Sequence, residues 1–258
     1  MTSSPVAQLA RPLGYHIAYR RQVASGIGTH LPGVIFLSGF KSDMSGSKAT
    51  ALAEFCQARG QAFLCFDYFG HGQSGGDFLE GSIGRWRDDA LAVLDQLTQG
   101  PQILIGSSMG GWLMLLTALL RPARIHGLVG IAAAPDFTED LMLPEFSAAE
   151  QAMLRRDGRI ARPSEYSDDP YIITWQLIEE ARQHLLLRQP IDLRCPVRLL
   201  QGMADPDVPY QTALRLTERL VTPDVELHLI KDGDHRLSRP QDLALLFAEL
   251  DKLSGSAR

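Results

Sequence analysis

The sequence predicts an α/β fold: a mostly parallel sheet with helices on both faces and one helical insertion over the sheet's C-terminal edge. Two observations carry that prediction. Short apolar runs of strand length, bounded by Gly and Pro, alternate with helical patterns along most of the chain. Parallel strands joined by helical crossovers read this way because both faces of their sheet are buried. The alternation breaks once, over residues 135–190, which are more charged, helical in pattern and without strand signals. Ligands bind at the C-terminal edge of such sheets. The insertion is therefore expected there as a cap, giving a core of 1–134 and 191–258 and a cap of 135–190.

The elements follow in order. The first thirty residues allow one antiparallel hairpin, with 15–23 as one of its strands. Residues 34–38 (VIFLS) read as a buried strand, and 49–59 place their apolar positions on one helical face. A second strand is expected at 62–67 (AFLCFD). The amphipathic stretch 82–99 starts at Ser82, a suitable N-cap, and stops at Gly100-Pro101. A third strand at 103–106 (ILIG) leads into 110–120, which is apolar all round as a buried helix is. A fourth strand is expected at 127–134, and two more at 197–201 and 225–230, followed by helices at 210–220 and 240–253.

Composition narrows the function. Hydrophobic residues make up 45% and charged residues 21% of 258, which suits one large globular domain with a sizeable core. A net charge of −5 removes the electrostatic case for a nucleic-acid partner. The three cysteines, Cys56, Cys65 and Cys195, lack C-x-x-C spacing and argue against a disulfide framework or a zinc site. No metal-ligand spacing appears elsewhere, so a cofactor-free protein is expected. The first dozen residues hold no sustained apolar run, and no stretch approaches membrane-spanning length. The resulting expectation is a cytoplasmic protein.

The chemistry is carried by Gly106-Ser107-Ser108-Met109-Gly110, a match to G-x-S-x-G with Ser108 in register. The motif sets a nucleophile on a strained strand-to-helix turn, where glycines remove Cβ atoms that would collide. Here a strand precedes it and a helix follows, as the motif requires. The helix N-terminus then faces the developing oxyanion. An acid and a histidine should follow on loops after later strands. The loop after 197–201 offers Asp205, our choice, with Asp207 as competitor; the loop after 225–230 offers His235. Six other histidines are less well placed: His16 and His30 come early, His126 and His228 lie in strands, and His184 lies in the insertion. His71, in GHGQS after a strand, lies near the active edge. The backbone N–H groups of Phe40, after Gly39, and of Met109 are the expected oxyanion donors. Within the insertion, Phe137, Leu141, Met142, Leu143, Phe146, Tyr166, Tyr171 and Trp175 supply apolar surface. Leu141, Met142 and Trp175 are the expected substrate-binding residues.

On these residues the chain resembles the α/β-hydrolase superfamily, in FLSGF (36–40), FDYFGHGQS (66–74), GSSMGG (106–111), GMADPDVP (202–209) and GDH (233–235). Within it, the chain is similar to the mitochondrial branch of abhydrolase-domain proteins that act as acyl-protein thioesterases and acyl-glucuronide esterases. That similarity lies in W-R-x-D at 86–89, GSS-x-GGWLML from 106, CP-x-RLL-x-GM-x-D at 195–205 and DHR at 234–236. The resemblance implies Ser108, Asp205 and His235 as a triad and hydrolysis of acyl thioesters or esters. The substrate would be a small acyl ester or thioester, or an acylated protein. Ser38 stands where many superfamily members place His before the glycine. The sequence shows no transit segment of the kind that branch has, so mitochondrial import is not carried over into the expectation. A peptidase or amidase would use the same triad, and a binding module could use the same fold; dehalogenase or epoxide-hydrolase chemistry would need Asp at position 108.

Overall fold

The computed structural model describes residues 5–162 and 170–255. An eight-stranded sheet runs through it in the order β1-β2-β4-β3-β5-β6-β9-β10. Its strands are β1 (Ala7–Ala10), β2 (His16–Gln22), β3 (Gly33–Leu37), β4 (Phe63–Phe66), β5 (Gln102–Ser107), β6 (Ile125–Ile131), β9 (Val197–Gly202) and β10 (Val225–Ile230). The hairpin β1–β2 is antiparallel and β2 joins β4 antiparallel; from β4 to β10 every pairing is parallel. A separate two-stranded sheet, β7 (Arg159–Arg162) with β8 (Tyr171–Thr174), lies in the insertion.

Alternation along the strands sorts the core into two layers. In β3, Ile35 and Leu37 face one layer while Val34 and Phe36 face the other. The first layer is closed by α2 (Ile83–Leu97), α3 (Met109–Leu120) and α6 (Tyr210–Arg219), through Trp86, Val93, Trp112 and Leu216. The second is closed by α1 (Ser47–Ala58) and α7 (Pro240–Gly255), through Leu52, Cys56, Leu246 and Leu250. Ser82 caps α2 by accepting from the Arg85 N–H, and the helix ends three residues before Gly100. The expected strand at 127–134 is instead Ile125–Ile131; Ala132 takes φ of 45° and breaks the ladder.

The expectation of an insertion without strands is corrected. Helix α4 (Ala148–Asp157) is opened by a capping box between Ser147 and Glu150 and closed by Gly158 in the left-handed conformation. The chain then returns as the antiparallel pair β7–β8, with Ile160 opposite Ile173. Both isoleucines are buried with Leu143, Phe146, Leu154 and Ile178 in a small core of the insertion's own. The sequence YIIT at 171–174 carried the β-branched signal. Tyr166 lies outside the described residues. Helix α5 (Trp175–Ala181) completes the segment. Both ends of the insertion meet at Asp136, fully buried, which accepts from the N–H groups of Leu186 and Leu187 and from Arg188. Among the described residues, no helix is long and apolar enough to cross a membrane.

Candidate active site

Ser108 sits between β5 and α3 with φ of 55° and ψ of −120°, a conformation that L-residues rarely adopt. The packing that imposes it explains the flanking glycines. A Cβ on Gly106 would meet Gly110 O at 2.3 Å, one on Gly110 would meet Leu37 O at 2.1 Å, and one on Gly111 would meet the Ala133 Cβ at 2.5 Å. The turn is therefore pressed against its own helix, the end of β3 and the loop after β6, and Ser108 is pushed out at the C-terminal edge of the sheet.

His235 Nε2 lies 3.2 Å from Ser108 Oγ, and His235 Nδ1 lies 2.9 Å from Asp205 Oδ2. The Asp205 carboxylate accepts further from the N–H groups of Asp207 and Val208, each at 2.9 Å, and from Gln201 Nε2 at 3.1 Å. Because a carboxylate only accepts, Nδ1 of His235 is the donor, and the Nε2 lone pair faces the serine hydroxyl. The two loops are locked together: Ala204 N–H donates to Gly233 O over 3.0 Å, and a Cβ on Gly202 would meet that oxygen at 2.3 Å. Lys48, on α1, donates to Arg236 O beside the histidine, and burial lowers its amine to about 8.

The loop after β3 reaches the same place. A Cβ on Gly39 would lie 3.4 Å from the Ser108 Cβ, which brings the Phe40 backbone beside the serine. Met109 opens α3, so its N–H is one of the donors a helix leaves unpaired at its start.

A cleft of about 730 Å³ opens over Ser108 and His235. Its lining mixes apolar side chains, among them Phe40, Phe137, Leu141, Met142 and Phe146, with charged ones, among them Lys41, Lys48, Asp207 and Arg236; Lys41 lies over the Tyr171 ring and Arg162 over the Phe146 ring. Leu141 and Met142, expected in the substrate site, are among the lining residues. Trp175 is not among them: its ring lies 5.0 and 5.3 Å from the guanidiniums of Arg155 and Arg182 and packs on the insertion's own core. Residue types alone assign no role to Gln201, Lys48 or the aromatic group around Phe40. Gln201 carried no signal, being a polar residue buried in a strand.

Of the six remaining histidines, His30 is exposed and the other five are engaged elsewhere. His16 meets Gln73 O, His126 meets Leu253 O, His184 meets Glu180, and His228 faces Glu249. His71 is buried among Tyr68, Phe78 and Trp86.

A family model described as serine aminopeptidase, S33, matches residues 30–242. The chain belongs to the α/β-hydrolase family. This α/β-hydrolase is 44% identical over 241 residues to the mouse palmitoyl-protein thioesterase ABHD10, mitochondrial, across 92% of this chain and 78% of the relative. The solved structure of a putative hydrolase from Agrobacterium vitis S4 superposes with a TM-score of 0.91 at 42% identity, covering 97% of this chain and 99% of that one. That of mouse alpha/beta hydrolase domain-containing protein 10 gives a TM-score of 0.87 at 40% identity, covering 97% and 98%. The α/β-hydrolase fold expected from the sequence is thereby established. The expectation of a cytoplasmic protein is corrected by the mouse relative, which is named mitochondrial.

Proposed function

We propose that this α/β-hydrolase cleaves acyl thioesters and esters, including those of acylated proteins, through an acyl-enzyme on Ser108. The observation that carries the reading is the unbroken hydrogen-bond chain from Ser108 through His235 to Asp205 at the floor of a half-apolar cleft. The name of the mouse relative, a palmitoyl-protein thioesterase, supports the choice of bond.

Ser108 Oγ attacks the acyl carbonyl carbon while His235 Nε2 takes the hydroxyl proton. The imidazolium is stabilised by Asp205, which stays ionised. The N–H groups of Phe40 and Met109 receive the oxyanion; losing one such donor typically costs about 3 kcal/mol of transition-state stabilisation. Collapse expels the thiolate or alkoxide, to which His235 returns the proton. Water then enters, gives a proton to His235 and attacks the acyl-serine, and the acid product leaves as Ser108 is regenerated. Residues 135–190 act as a cap whose Leu141, Met142 and Phe146 face the acyl chain.

Hydrolysis of a panel of acyl thioesters, esters and p-nitroanilides by wild type and Ser108→Ala tests this. Turnover of thioesters and esters that vanishes in Ser108→Ala is expected. Anilide cleavage matching ester cleavage would favour an amidase, and no turnover of any acyl donor would favour a binding module.

A further inference from the structure

The loop that carries Phe40 is held in a conformation its own sequence disfavours. Ser42 N–H donates to Gly39 O over 3.1 Å, closing a turn over Gly39, Phe40, Lys41 and Ser42. Lys41 has φ of 55°, while Phe40 is not among the residues of positive φ. Positive φ at the third residue alone marks a type II turn, where glycine is usual because a Cβ is strained there. Flipping the central peptide would give a type I turn, which nearly any residue accepts. A contact from outside the turn must therefore favour the flipped peptide.

His71 supplies that contact. Its Nδ1 lies 3.1 Å from Phe69 O, a carbonyl that can only accept, so Nδ1 carries the proton and Nε2 is left as an acceptor. The Lys41 N–H points at that Nε2 over 3.3 Å. The ring is 3% exposed and is fixed edge-on against Tyr68, Phe78 and Trp86, with centroids 5.0 to 5.5 Å away. Burial lowers the imidazole to about 4, so the acceptor is kept at neutral pH. Tyr68 adds a second pin one residue before the turn, its hydroxyl donating to Ser38 O over 3.3 Å.

We propose that His71 is a positioning residue for the oxyanion loop: its Nε2, by accepting the Lys41 N–H, fixes the peptide that follows Phe40 and so anchors the Gly39–Ser42 turn, holding in place Phe40, whose own N–H, in the peptide before, faces the reacting carbonyl oxygen. The inference rests on the proposed roles of Ser108 and Phe40. His71 touches no reacting atom, so its removal acts on the transition state through the loop and leaves ground-state binding in place. If the turn is held against the strain at Lys41, a glycine at position 41 relieves the need for His71.

The experiment compares wild type, His71→Phe, His71→Gln and the double variant His71→Phe/Lys41→Gly in steady-state ester hydrolysis. Each is also titrated with an acyl trifluoromethyl ketone, whose adduct with Ser108 places an oxyanion at the loop. Phenylalanine keeps the ring packing and removes the acceptor; glutamine retains an acceptor. His71→Phe is expected to lower kcat about 30- to 100-fold with KM changed less than about threefold, and to weaken the ketone by a similar factor. His71→Gln should lose less, and the double variant should regain about tenfold or more of the lost kcat. His71→Ala provides the same comparison if His71→Phe does not fold. Unchanged kcat on loss of the acceptor, or a loss that Lys41→Gly does not relieve, would overturn the inference. Ser108→Ala, assayed alongside, separates the two claims. Turnover by Ser108→Ala overturns the triad itself, whereas an inert Ser108→Ala beside a fully active His71→Phe overturns only the role of His71.

Discussion

His235 Nδ1 meets Asp205 Oδ2 at 2.9 Å, and the rest of that carboxylate is filled by two backbone N–H groups and one side-chain amide. The Asp205 side chain has no exposure to solvent. Its orientation is thus set before substrate arrives, and with it the tautomer and direction of the imidazole.

Asp205→Asn should therefore lower kcat by about four orders of magnitude, because an amide can present a donor to Nδ1 and stabilise the wrong tautomer. Asp207 is exposed and serves Asp205 through its backbone N–H, which substitution leaves in place. Asp207→Asn should lose less than about tenfold. Steady-state kinetics on one ester ranks the two, and the reverse order would assign the acid to Asp207.

Leu141 and Met142 line the cleft whereas Trp175 packs away from it. Each methylene buried in the cleft contributes about 0.8 kcal/mol, so kcat/KM should rise from acetate with chain length until the apolar lining is covered. Leu141→Ala or Met142→Ala should shift the preferred length. Trp175→Ala should lower the thermal midpoint and leave the profile in place. A profile falling steadily from acetate and untouched by any of these substitutions would remove the acyl chain from this cleft.

Burial lowers His71 to about 4, below the ordinary 6.5 of an imidazole. The unfolded chain binds a proton below 6.5 and the folded chain does not, so stability is full above pH 6.5 and is lost as pH falls toward 4. The shift corresponds to about 3 kcal/mol over that window. His71→Gln should remove that share of the acid sensitivity. Urea unfolding at pH 7 and pH 4.5 measures it; an equal loss of stability in wild type and variant would show that another group titrates.

Much of this was legible in the sequence for physical reasons. Strands buried on both faces read as continuous apolar runs, and the G-x-S-x-G turn needs its glycines at fixed positions because backbone atoms lie within 3 Å of where a Cβ would stand. The loops bearing Asp205 and His235 followed from chain order. The cap was read less well. Its hairpin is built from two four-residue strands, too short for alternation to stand out against helical neighbours. Trp175 reads as a cleft residue in the sequence because apolar character alone does not distinguish a lining side chain from one packed beneath it. His71 was placed near the active edge, but its bond to the Lys41 N–H depends on a turn conformation that residue types did not disclose; a lysine is an uncommon occupant of that position.

The central claim is that Ser108 is the nucleophile, and it is tested most directly by locating a covalent adduct. The protein is treated with an alkyl fluorophosphonate and digested, and the modified peptide is sequenced by mass spectrometry. The account predicts one adduct, on Ser108, absent from Ser108→Ala and retained in Ser107→Ala. An adduct on Ser107, or labelling that persists at full rate in Ser108→Ala, would contradict it.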